Sequence, residues 1–327
     1  MTQVLPIERI AVLTSGGDAP GMNPAIRAVV RTALAHDLEV YGVEEGYNGL
    51  IHGAFNRLEA RDVGGIMQRG GTMLMTARSK EFMTERGQRE AIHELNKHGI
   101  DALVVIGGDG SLRGAHALSQ QGVPVVGIPA SIDNDIWGTN MAIGVDTALN
   151  TILDAVDKLR DTASSHQRAF LVETMGRECG YLAVMAGIIG GAEMVLIPEV
   201  KVTLEEIAGA VEDAYRRGKT HAIIIVAEGA EVKIQDLARY LDEADVGFKT
   251  RVTILGHIQR GGRPTAFDRL LASRMGVKAV EAAVNGRFGV MVGLRGREMS
   301  LVPLKDVISR QRKANMEYFA MVRMLAR

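Results

Sequence analysis

The sequence has few of the residues that mark secreted, membrane or nucleic-acid-binding proteins. Cys179 is the only cysteine, so no intramolecular disulfide can form, and a reducing, cytoplasmic compartment is expected. Residues 1–8 lack the basic and apolar regions of a signal peptide, which agrees with that expectation. The formal net charge is only −1, which argues against a general role in binding nucleic acid or a membrane surface.

Long uninterrupted apolar runs are also missing. The longest, residues 181–197, is broken by Gly187, Gly190, Gly191 and Glu193, whereas a membrane-spanning helix needs about 20 consecutive apolar residues. Its pattern predicts a helix, a turn and a strand instead. Aromatic residues make up 4% of the chain and 38 of the 327 residues are glycine. Because the glycines fall between periodic segments without a fixed period, they indicate a loop-rich α/β enzyme.

The chain does contain a regular alternation of short β-branched runs with segments of helical period. This alternation predicts a parallel sheet covered by helices on both faces, and the length favours two domains. An amphipathic helix is predicted over residues 147–160, with Asp154, Asp157 and Lys158 facing water. The predicted strands are residues 10–13, 39–43, 102–106, 125–128, 170–173, 194–197, 222–227 and 252–255.

The stretch 102–135 carries the most informative polar residues. Two apolar strands end there in turn-forming clusters, Gly-Gly-Asp-Gly-Ser at 107–111 and Ser-Ile-Asp-Asn-Asp at 131–135. Glycines between a strand and a helix can hold a phosphate through backbone N–H groups and the positive helix end. Asp109, Asp133 and Asp135 would repel that anion unless a cation lay between them. The pattern predicts a nucleotide–metal site, although 131–135 alone also fits a turn whose side chains bond their own backbone.

A second glycine turn, Gly16-Gly17-Asp18, follows the first predicted strand, and both turns are expected at the same edge of one sheet. Either turn alone is as well explained by an ordinary loop. Arg168 and Arg177 flank the strand at 170–173, and we predict that both lie in turns where a guanidinium can hold a phosphate. His257 and Arg260 repeat this arrangement after the last predicted strand.

The remaining polar residues allow a plain and a functional interpretation. Glu228 follows the strand at 222–227, where it would accept hydrogen bonds from a sugar or cap the turn. A basic group has no carboxylate trio beside it and is either a solvated face or a second, regulatory anion site. Its members are Arg27 and Arg31, which share a helix face, with Arg160, Arg217, Lys219 and His221.

Six segments together resemble the ATP-dependent 6-phosphofructokinases of bacteria: residues 14–23, 107–111, 133–135, 162–168, 175–180 and 256–262. The resemblance covers nearly the whole chain, in the order and spacing of that family. It implies transfer of the γ-phosphoryl group of Mg-ATP to the 1-hydroxyl of fructose 6-phosphate, in glycolysis. It also implies two Rossmann-like, three-layer domains with mainly parallel sheets and an active site in the cleft between them. A homotetramer is implied, with active and effector sites shared across subunit contacts.

The resemblance assigns roles to individual residues. The larger, ATP-binding domain would be 1–143 plus 258–308, and the smaller, fructose 6-phosphate-binding domain 144–257 plus 309–327. Asp133 and Arg177 would be catalytic, with Asp133 as the base. Asp109 would hold Mg²⁺, and Asp135 would support either Asp133 or the metal shell. The ATP site would comprise Gly17, Arg78, Ser79, Gly108, Asp109, Gly110 and Ser111. The sugar phosphate would be bound by Ser131, Ile132, Asp133, Asp135, Met175, Gly176, Arg177, Glu228, His257, Ile258, Gln259 and Arg260, with Arg168 and Arg251 reaching in from a neighbouring subunit.

Two small residues bear on the phosphoryl donor. Family members that use pyrophosphate generally place Asp at the position of Gly110 and Lys at that of Ala130, so ATP is the expected donor. A pyrophosphate-dependent enzyme is the first alternative. A non-catalytic nucleotide-binding regulatory subunit is the second, disfavoured by the full set of Asp109, Asp133, Arg168 and Arg177. A dinucleotide dehydrogenase fits less well, because residues 107–111 lack the spacing of its glycine fingerprint.

The effector site of the bacterial enzymes, which binds ADP or phosphoenolpyruvate, is matched by a further set of residues. They are Arg27, Arg31, Arg160, Gly191, Glu193, Arg217, Lys219 and His221. An arginine that the family normally supplies from the loop at Ala54 is missing. Losing one desolvated, charge-assisted hydrogen bond costs about 1.5–3 kcal/mol, so we expect a weakened or altered response to both effectors.

Overall fold

Two separate sheets, both mainly parallel, confirm the predicted α/β class. The computed structural model describes residues 7–326. Within them the chain forms two compact units: the first comprises residues 7–132, 136–147 and 260–311, and the second 133–135, 148–259 and 312–326. The predicted domain ranges also include residues 1–6 and 327, which lie outside the described residues.

The strands are β1 (Arg9–Ser15), β2 (Glu39–Val43), β3 (Phe55–Arg57), β4 (Ala102–Gly107), β5 (Val125–Pro129), β6 (Arg168–Thr174), β7 (Met194–Leu196), β8 (Ala222–Ala227), β9 (Lys249–Ile254), β10 (Val290–Arg295) and β11 (Glu298–Pro303). The helices are α1 (Met22–Ala35), α2 (Gly46–His52), α3 (Glu85–Lys97), α4 (Asp109–Gln120), α5 (Val145–His166), α6 (Tyr181–Ile189), α7 (Leu204–Arg216), α8 (Ile234–Glu243), α9 (Ala266–Val284), α10 (Leu304–Ile308) and α11 (Met316–Leu325). Short 3₁₀ turns occupy Glu81–Met83 and Gly256–Arg260.

The first unit is built on a seven-stranded sheet in the order β11-β10-β5-β4-β1-β2-β3. Strands β1, β4 and β5 are adjacent and parallel, with Ser15 opposite Gly107 and Gly107 opposite Pro129. All three strands are fully buried apart from Arg9, because their β-branched and small residues face apolar neighbours on both sides of the sheet. Their carboxyl ends therefore bring the three following loops to one edge of the sheet.

The second unit has a fully parallel sheet in the order β7-β8-β6-β9. Apolar residues of β6 and β8, including Leu171, Ile224 and Val226, form its core with Leu237 and Leu241 of α8. Thr174 of β6 lies opposite Ala227 of β8, so the loops that follow these two strands start side by side. The turn after β9 begins at the same edge.

All eight predicted strands are confirmed, because each is a β-branched run bounded by turn residues; seven agree within two residues at either end, and β9 starts three residues before its predicted start at 252. The sequence analysis missed β3, β10 and β11. Strand β3 is only three residues long, and two of the three, Asn56 and Arg57, are exposed and polar. Strands β10 and β11 form an antiparallel hairpin at the sheet edge, and its turn contains Gly296 at φ 60°. The alternating residues on either side of that glycine were the signal for a hairpin.

The observed helix boundaries differ more from the predicted ones than the strand boundaries do. Helix α4 starts at Asp109, directly after the glycines that end β4, because Gly108 is extended and the carboxylate of Asp109 favours the positive helix end. Helix α5 extends past the predicted 147–160, while Asp154, Asp157 and Lys158 are exposed as predicted. The apolar stretch 181–197 forms α6, a turn and β7, as predicted. Within residues 7–326 no helix is long and apolar enough to cross a membrane.

A buried acid at the start of α9 gives the fold a measurable pH dependence. Burial raises the pKa of Asp268 from 3.8 to about 6, and hydrogen bonds from Thr147 and Gly144 lower it only partly. Between pH 4 and 6 the folded chain therefore keeps a proton that the unfolded chain has lost.

We expect the contribution of Asp268 to the free energy of unfolding to be greatest below pH 4 and to fall as the pH rises through 6. The fall should be at most about 3 kcal/mol. Urea unfolding of the parent chain and of Asp268→Asn at several pH values measures it, since only the parent carries the titrating group. If the two chains differed in free energy of unfolding by the same amount from pH 4 to 7, the raised pKa of Asp268 would be contradicted.

Candidate active site

In the first unit, a serine side chain holds two of the three loops together. The hydroxyl of Ser111, in the first turn of α4, donates to the carbonyl of Ser15 at 2.8 Å. A side chain at Gly107 would lie 2.5 Å from the Ser111 oxygen, so only glycine allows this approach. The hydroxyl of Thr76 donates to Gly16 O at 2.8 Å on the other side of the β1 loop. The structure thus brings the predicted residues Gly17, Gly108 and Ser111 to one edge of the sheet.

Asp109 and Gly110 form the start of α4 at this edge. The Asp109 carboxylate accepts a 2.8 Å hydrogen bond from Arg113 Nε one turn later, and its side chain is 14% exposed. A Cβ atom at Gly110 would meet no atom within 4 Å, so packing does not require glycine here. The open space next to backbone N–H groups and a helix start fits an anionic ligand.

Asp109 is the one candidate metal ligand in the first unit. Among residues 7–326, no three His, Cys, Asp or Glu side chains are grouped to hold a metal ion. Magnesium fits this arrangement, since it is commonly bound by one or two carboxylates together with substrate phosphates and water. The oxygen of Asp109 is the hard ligand type that magnesium requires.

Tyr47 and Phe82 support this edge, and the sequence analysis missed both. The buried Tyr47 hydroxyl donates to Ser111 O at 2.7 Å, and its ring stacks on Phe82 with 3.9 Å between the ring centroids. Burial raises the pKa of Tyr47 well above its ordinary value, so the hydroxyl remains a donor. The predicted ligand Ser79 accepts a hydrogen bond from the Phe82 N–H at 3.2 Å, and Arg78 beside it is exposed.

Arg260 lies with the predicted ATP residues. Its guanidinium donates to Asp18 O at 3.2 Å, and a side chain at Gly17 would approach it to 2.4 Å. The resemblance had grouped Arg260 with the sugar-phosphate residues. Its contacts in the first unit connect it to the glycine loop after β1.

In the second unit, a buried carboxylate is paired with an arginine. Asp133 is 1% exposed, and its Oδ2 lies 3.2 Å from Arg177 Nε, whose side chain is half exposed. Asn134 and Arg177 both adopt left-handed backbone conformations, at φ 51°. A carboxylate removed from water needs such a partner, because leaving a buried charge unpaired costs several kcal/mol. The predicted catalytic residues Asp133 and Arg177 are thus in direct contact.

The loop that carries Arg177 is shaped by two side chains from other segments. Glu228 Oε1 accepts from the backbone N–H groups of Gly176, at 3.1 Å, and Arg177, at 2.8 Å. Gln259 is fully buried; its Oε1 accepts from Met175 N at 3.2 Å and its Nε2 donates to Gly256 O at 3.0 Å. Both residues were predicted to bind the substrate directly, and the structure adds that they hold the loop 175–177.

The other residues predicted to bind the sugar phosphate differ in exposure. His257 and Ile258 are exposed in the turn Gly256–Arg260. Of the remaining predicted residues, Ile132 is buried and Ser131 half-buried in the first unit, and Asp135 is buried in the second.

The prediction that Arg168 lies in a turn is wrong. Arg168 is the first residue of β6, because the chain turns one residue earlier, at Gln167 with φ 51°. Six residues separate it from the other end of the strand, or about 20 Å at 3.3 Å per residue. Arg251 lies near the same end, opposite Phe170 on β9. Within one chain, neither arginine therefore joins the loop 175–177.

A C-terminal segment, residues 312–314, was not expected at this site. Arg312 N donates to Asp135 O at 2.9 Å, and Lys313 Nζ donates to Glu178 O at 2.9 Å. Glu199 accepts from both Gly180 N and Ala314 N. Cys179 is buried in the same loop, where burial raises its thiol pKa to about 11. Such a thiol stays protonated and unreactive at neutral pH.

The predicted effector residues form two groups. In the second unit, Arg160 Nη1 is 3.3 Å from His221 Nε2 and its other terminal nitrogen donates to Gly191 O at 3.0 Å. Lys219 lies 3.5 Å from Glu193, while Arg217 pairs with Asp213 on its own helix. In the first unit, Arg27 and Arg31 lie on α1.

The loop near the α1 arginines differs from the expected one. Arg31 donates to Ala60 O at 3.0 Å, whereas Ala54 lies in the turn between α2 and β3 and bonds to Gly49 and Glu44. Arg61 follows Ala60 and forms an ion pair with Glu59. An arginine is therefore present next to the segment that Arg31 contacts.

Comparisons with known proteins agree on one family. A family model described as Phosphofructokinase matches residues 9–283. A protein of Thermotoga neapolitana named ATP-dependent 6-phosphofructokinase is 54% identical over 98% of this chain and 100% of its own length. A protein of the same name from Shouchella clausii is 51% identical over 96% of this chain and 98% of its own length.

Solved structures show the same fold. The Pichia pastoris phosphofructokinase in the T-state matches with a TM-score of 0.89 and 38% identity; the match covers 93% of this chain but only 35% of that longer chain. A pyrophosphate-dependent phosphofructokinase of Marinobacter aquaeolei matches with a TM-score of 0.86 over 95% of this chain and 86% of its own. Its identity is 22%, so this likeness concerns the fold alone.

The contacts of Gln259 predict its effect on sugar-phosphate binding. Gln259→Leu removes the acceptor for Met175 N and the donor to Gly256 O, leaving buried backbone groups unpaired. We expect the affinity for fructose 6-phosphate to fall by about tenfold, in line with 1–3 kcal/mol for such groups. Calorimetric titration measures it. Gln235→Leu, at an exposed position of α8, is the control and should bind as the parent does; parental affinity in Gln259→Leu as well would contradict the role.

Proposed function

Because this chain belongs to the phosphofructokinase family, we propose that it is an ATP-dependent 6-phosphofructokinase. It transfers the γ-phosphoryl group of ATP to the 1-hydroxyl of fructose 6-phosphate and releases fructose 1,6-bisphosphate and ADP. The buried Asp133 carboxylate paired with Arg177 carries the proposal, since the reaction needs a base and a cation at the sugar. Full-length relatives of the same name, more than half identical to the chain, support it.

The first unit supplies the groups that bind ATP. Backbone N–H groups at the start of α4, residues 108–111, hold phosphate oxygens, and the glycine loop at Gly17 approaches the nucleotide closely. Arg78 is exposed and Ser79 is close by, so both are available to the nucleotide. Asp109 would hold Mg²⁺, which when bound neutralises charge on the transferring phosphoryl group. In this structure the Asp109 carboxylate pairs with Arg113, and holding the metal would require it to give up part of that contact.

The second unit supplies the base and the sugar-phosphate site. Asp133 takes the proton of the 1-hydroxyl as the oxygen attacks phosphorus, and Arg177 stabilises the negative charge that develops there. Glu228 and Gln259 hold the loop of Arg177 so that its guanidinium faces Asp133. Phosphoryl transfer depends on such positioned charge more than on covalent chemistry. Asp135 supports Asp133 or the metal shell.

The small residues at 110 and 130 support ATP as the donor. Space around Gly110 is open, so a nucleotide has room beyond its β-phosphate. Ala130 is 1% exposed and its N–H donates to Gly107 O at 2.9 Å, so position 130 carries a buried methyl group where pyrophosphate-using members generally have a lysine. A pyrophosphate-dependent enzyme is disfavoured on both counts.

Assembly and compartment complete the proposal. Arg168 and Arg251 lie at the far end of β6 and β9 from the loop 175–177, so they would serve the site of a neighbouring subunit in a homotetramer. The predicted effector residues would bind ADP or phosphoenolpyruvate. The cytoplasm is the proposed compartment, in keeping with a single, buried cysteine.

A coupled assay with each donor tests the function. We expect turnover of fructose 6-phosphate with Mg-ATP and none above background with pyrophosphate. Asp133→Ser should lower kcat by roughly 10²–10⁴-fold, the usual contribution of a general base, and leave ATP affinity within about twofold of the parent. Equal rates with ATP and pyrophosphate would refute ATP as the specific donor. An unchanged kcat in Asp133→Ser would refute Asp133 as the base.

Saturation curves for fructose 6-phosphate, with and without each effector, test the regulatory site. Our sequence-based expectation is a weakened or altered response, on the order of the tenfold lost with one charge-assisted bond. Arg61→Ala should weaken any remaining response further if its guanidinium replaces the missing arginine. Strong activation by ADP and strong inhibition by phosphoenolpyruvate, unaffected by Arg61→Ala, would contradict the expectation.

A further inference from the structure

Asp268, at the start of α9, was not among the predicted site residues, and its carboxylate bonds one turn of the first unit. Its Oδ1 accepts from Gly144 N at 2.9 Å. Its Oδ2 accepts from Thr147 N at 2.8 Å and from the Thr147 hydroxyl at 2.6 Å. The side chain is 0% exposed. A buried carboxylate whose oxygens accept three donors from residues 144–147 fixes that turn.

Two threonines interlock the same turn with the start of α9. The Thr147 hydroxyl, which donates to Asp268, also accepts from Thr265 N at 3.0 Å. The Thr265 hydroxyl accepts from Asp268 N at 3.2 Å and bonds Asp146 Oδ2 at 2.6 Å. The beginnings of α5 and α9 are thus joined by hydrogen bonds in both directions. Such closed networks are rigid because every group has a partner in a single arrangement.

The turn pairs with residues 129–131, the extension of β5 that carries Ser131; we call these residues the strand extension. Ile143 N donates to Pro129 O at 3.0 Å, and Ser131 N donates to Ile143 O at 3.0 Å. Ala130 and Ile143 form an isolated parallel bridge. Residues 129–131 are therefore held on one side by Ile143, the neighbour of Gly144, and on the other by Gly107, to which the Ala130 N–H donates.

The turn also lies against the loop that follows β1. Gly144 has φ 103°, and a Cβ atom there would lie 2.7 Å from Ala19 Cβ. A Cβ atom at Gly21 would lie 2.5 Å from Ile143 Cγ2 and 3.6 Å from Asp268 Cβ. These close approaches leave the turn no free space in which to move toward the loop that follows β1.

We propose that Asp268 is a positioning residue for phosphoryl transfer, acting through the turn 143–147 to fix the strand extension 129–131 and so the sugar-binding Ser131. The inference rests on the proposed function for its kinetic effect, while its structural effect is independent of that function. Asp268 touches neither substrate. An amide in its place would turn an N–H group toward the N–H of Gly144 or Thr147, so even the isosteric Asp268→Asn should loosen the turn.

Three variants test the proposal. Thr147→Val keeps the shape but removes the hydroxyl that links Asp268 to Thr265, and Thr147→Ser restores the hydroxyl. Asp268→Asn is a second disruption. Since small displacements of positioning groups can cost up to 10²-fold, we expect Thr147→Val and Asp268→Asn to lower kcat/KM for fructose 6-phosphate by about tenfold or more. ATP affinity should change by less than about twofold, and Thr147→Ser should stay within about threefold of the parent.

Amide hydrogen exchange gives a readout without turnover. The two disruptive variants should exchange faster than the parent in peptides covering 129–131 and 143–147, because the bonds of Ser131 N and Ile143 N open more often. Thr250→Val, which removes a buried hydroxyl in the second unit, is the control and should leave these peptides unchanged.

Unchanged exchange at 129–131 in both disruptive variants would overturn the proposal. The proposal would also fail if ATP affinity fell as much as kcat/KM for fructose 6-phosphate, or if Thr147→Ser had no higher kcat/KM than Thr147→Val. Either result would show a merely structural role. A parent chain that does not phosphorylate fructose 6-phosphate would refute the proposed function instead, and the exchange data would still decide whether Asp268 fixes the strand extension.

Discussion

The ion pair between Asp133 and Arg177 is the interaction on which the second unit depends. A carboxylate at 1% exposure would be costly without a cation, so the chain must bring Arg177 to it. That arginine occupies a left-handed conformation, and Glu228 holds it there through two backbone N–H groups. Gln259 fixes the preceding residue. The buried Asp133 carboxylate thus determines the shape of the loop 175–177, which in the proposed reaction also binds the sugar phosphate.

In the proposed reaction the loops of the first unit hold phosphate oxygens, mainly through backbone N–H groups. Glycines allow the close approach, but glycine loops are not rigid by themselves. Hydroxyl groups behind the loops supply the rigidity: Ser111 ties the loops after β1 and β4, and Tyr47 ties Ser111. In the proposed role, Thr147 and Asp268 do the same for the strand extension at Ser131.

Sequence reasoning succeeded where structure follows from local pattern. Buried parallel strands are β-branched runs bounded by glycine or aspartate, so all eight predicted strands and the positions of Asp109 and Asp133 after them were found. It failed where a residue's place depends on distant partners. Nothing local shows that Tyr47 bonds Ser111, 64 residues away, or that Asp268 bonds Gly144, 124 residues away. Arg168 was placed in a turn because the left-handed residue that ends α5 is Gln167, which carries no glycine signal.

The central claim is that Asp133 receives the proton of the sugar hydroxyl while Arg177 stays beside it. A crystal structure of the chain with Mg²⁺, a non-hydrolysable ATP analogue and fructose 6-phosphate tests this claim most directly. The account predicts the sugar 1-hydroxyl within about 2.6–3.2 Å of an Asp133 carboxylate oxygen, with the metal ion on Asp109. A 1-hydroxyl that points away from Asp133, with another side chain in contact with it, would contradict the account.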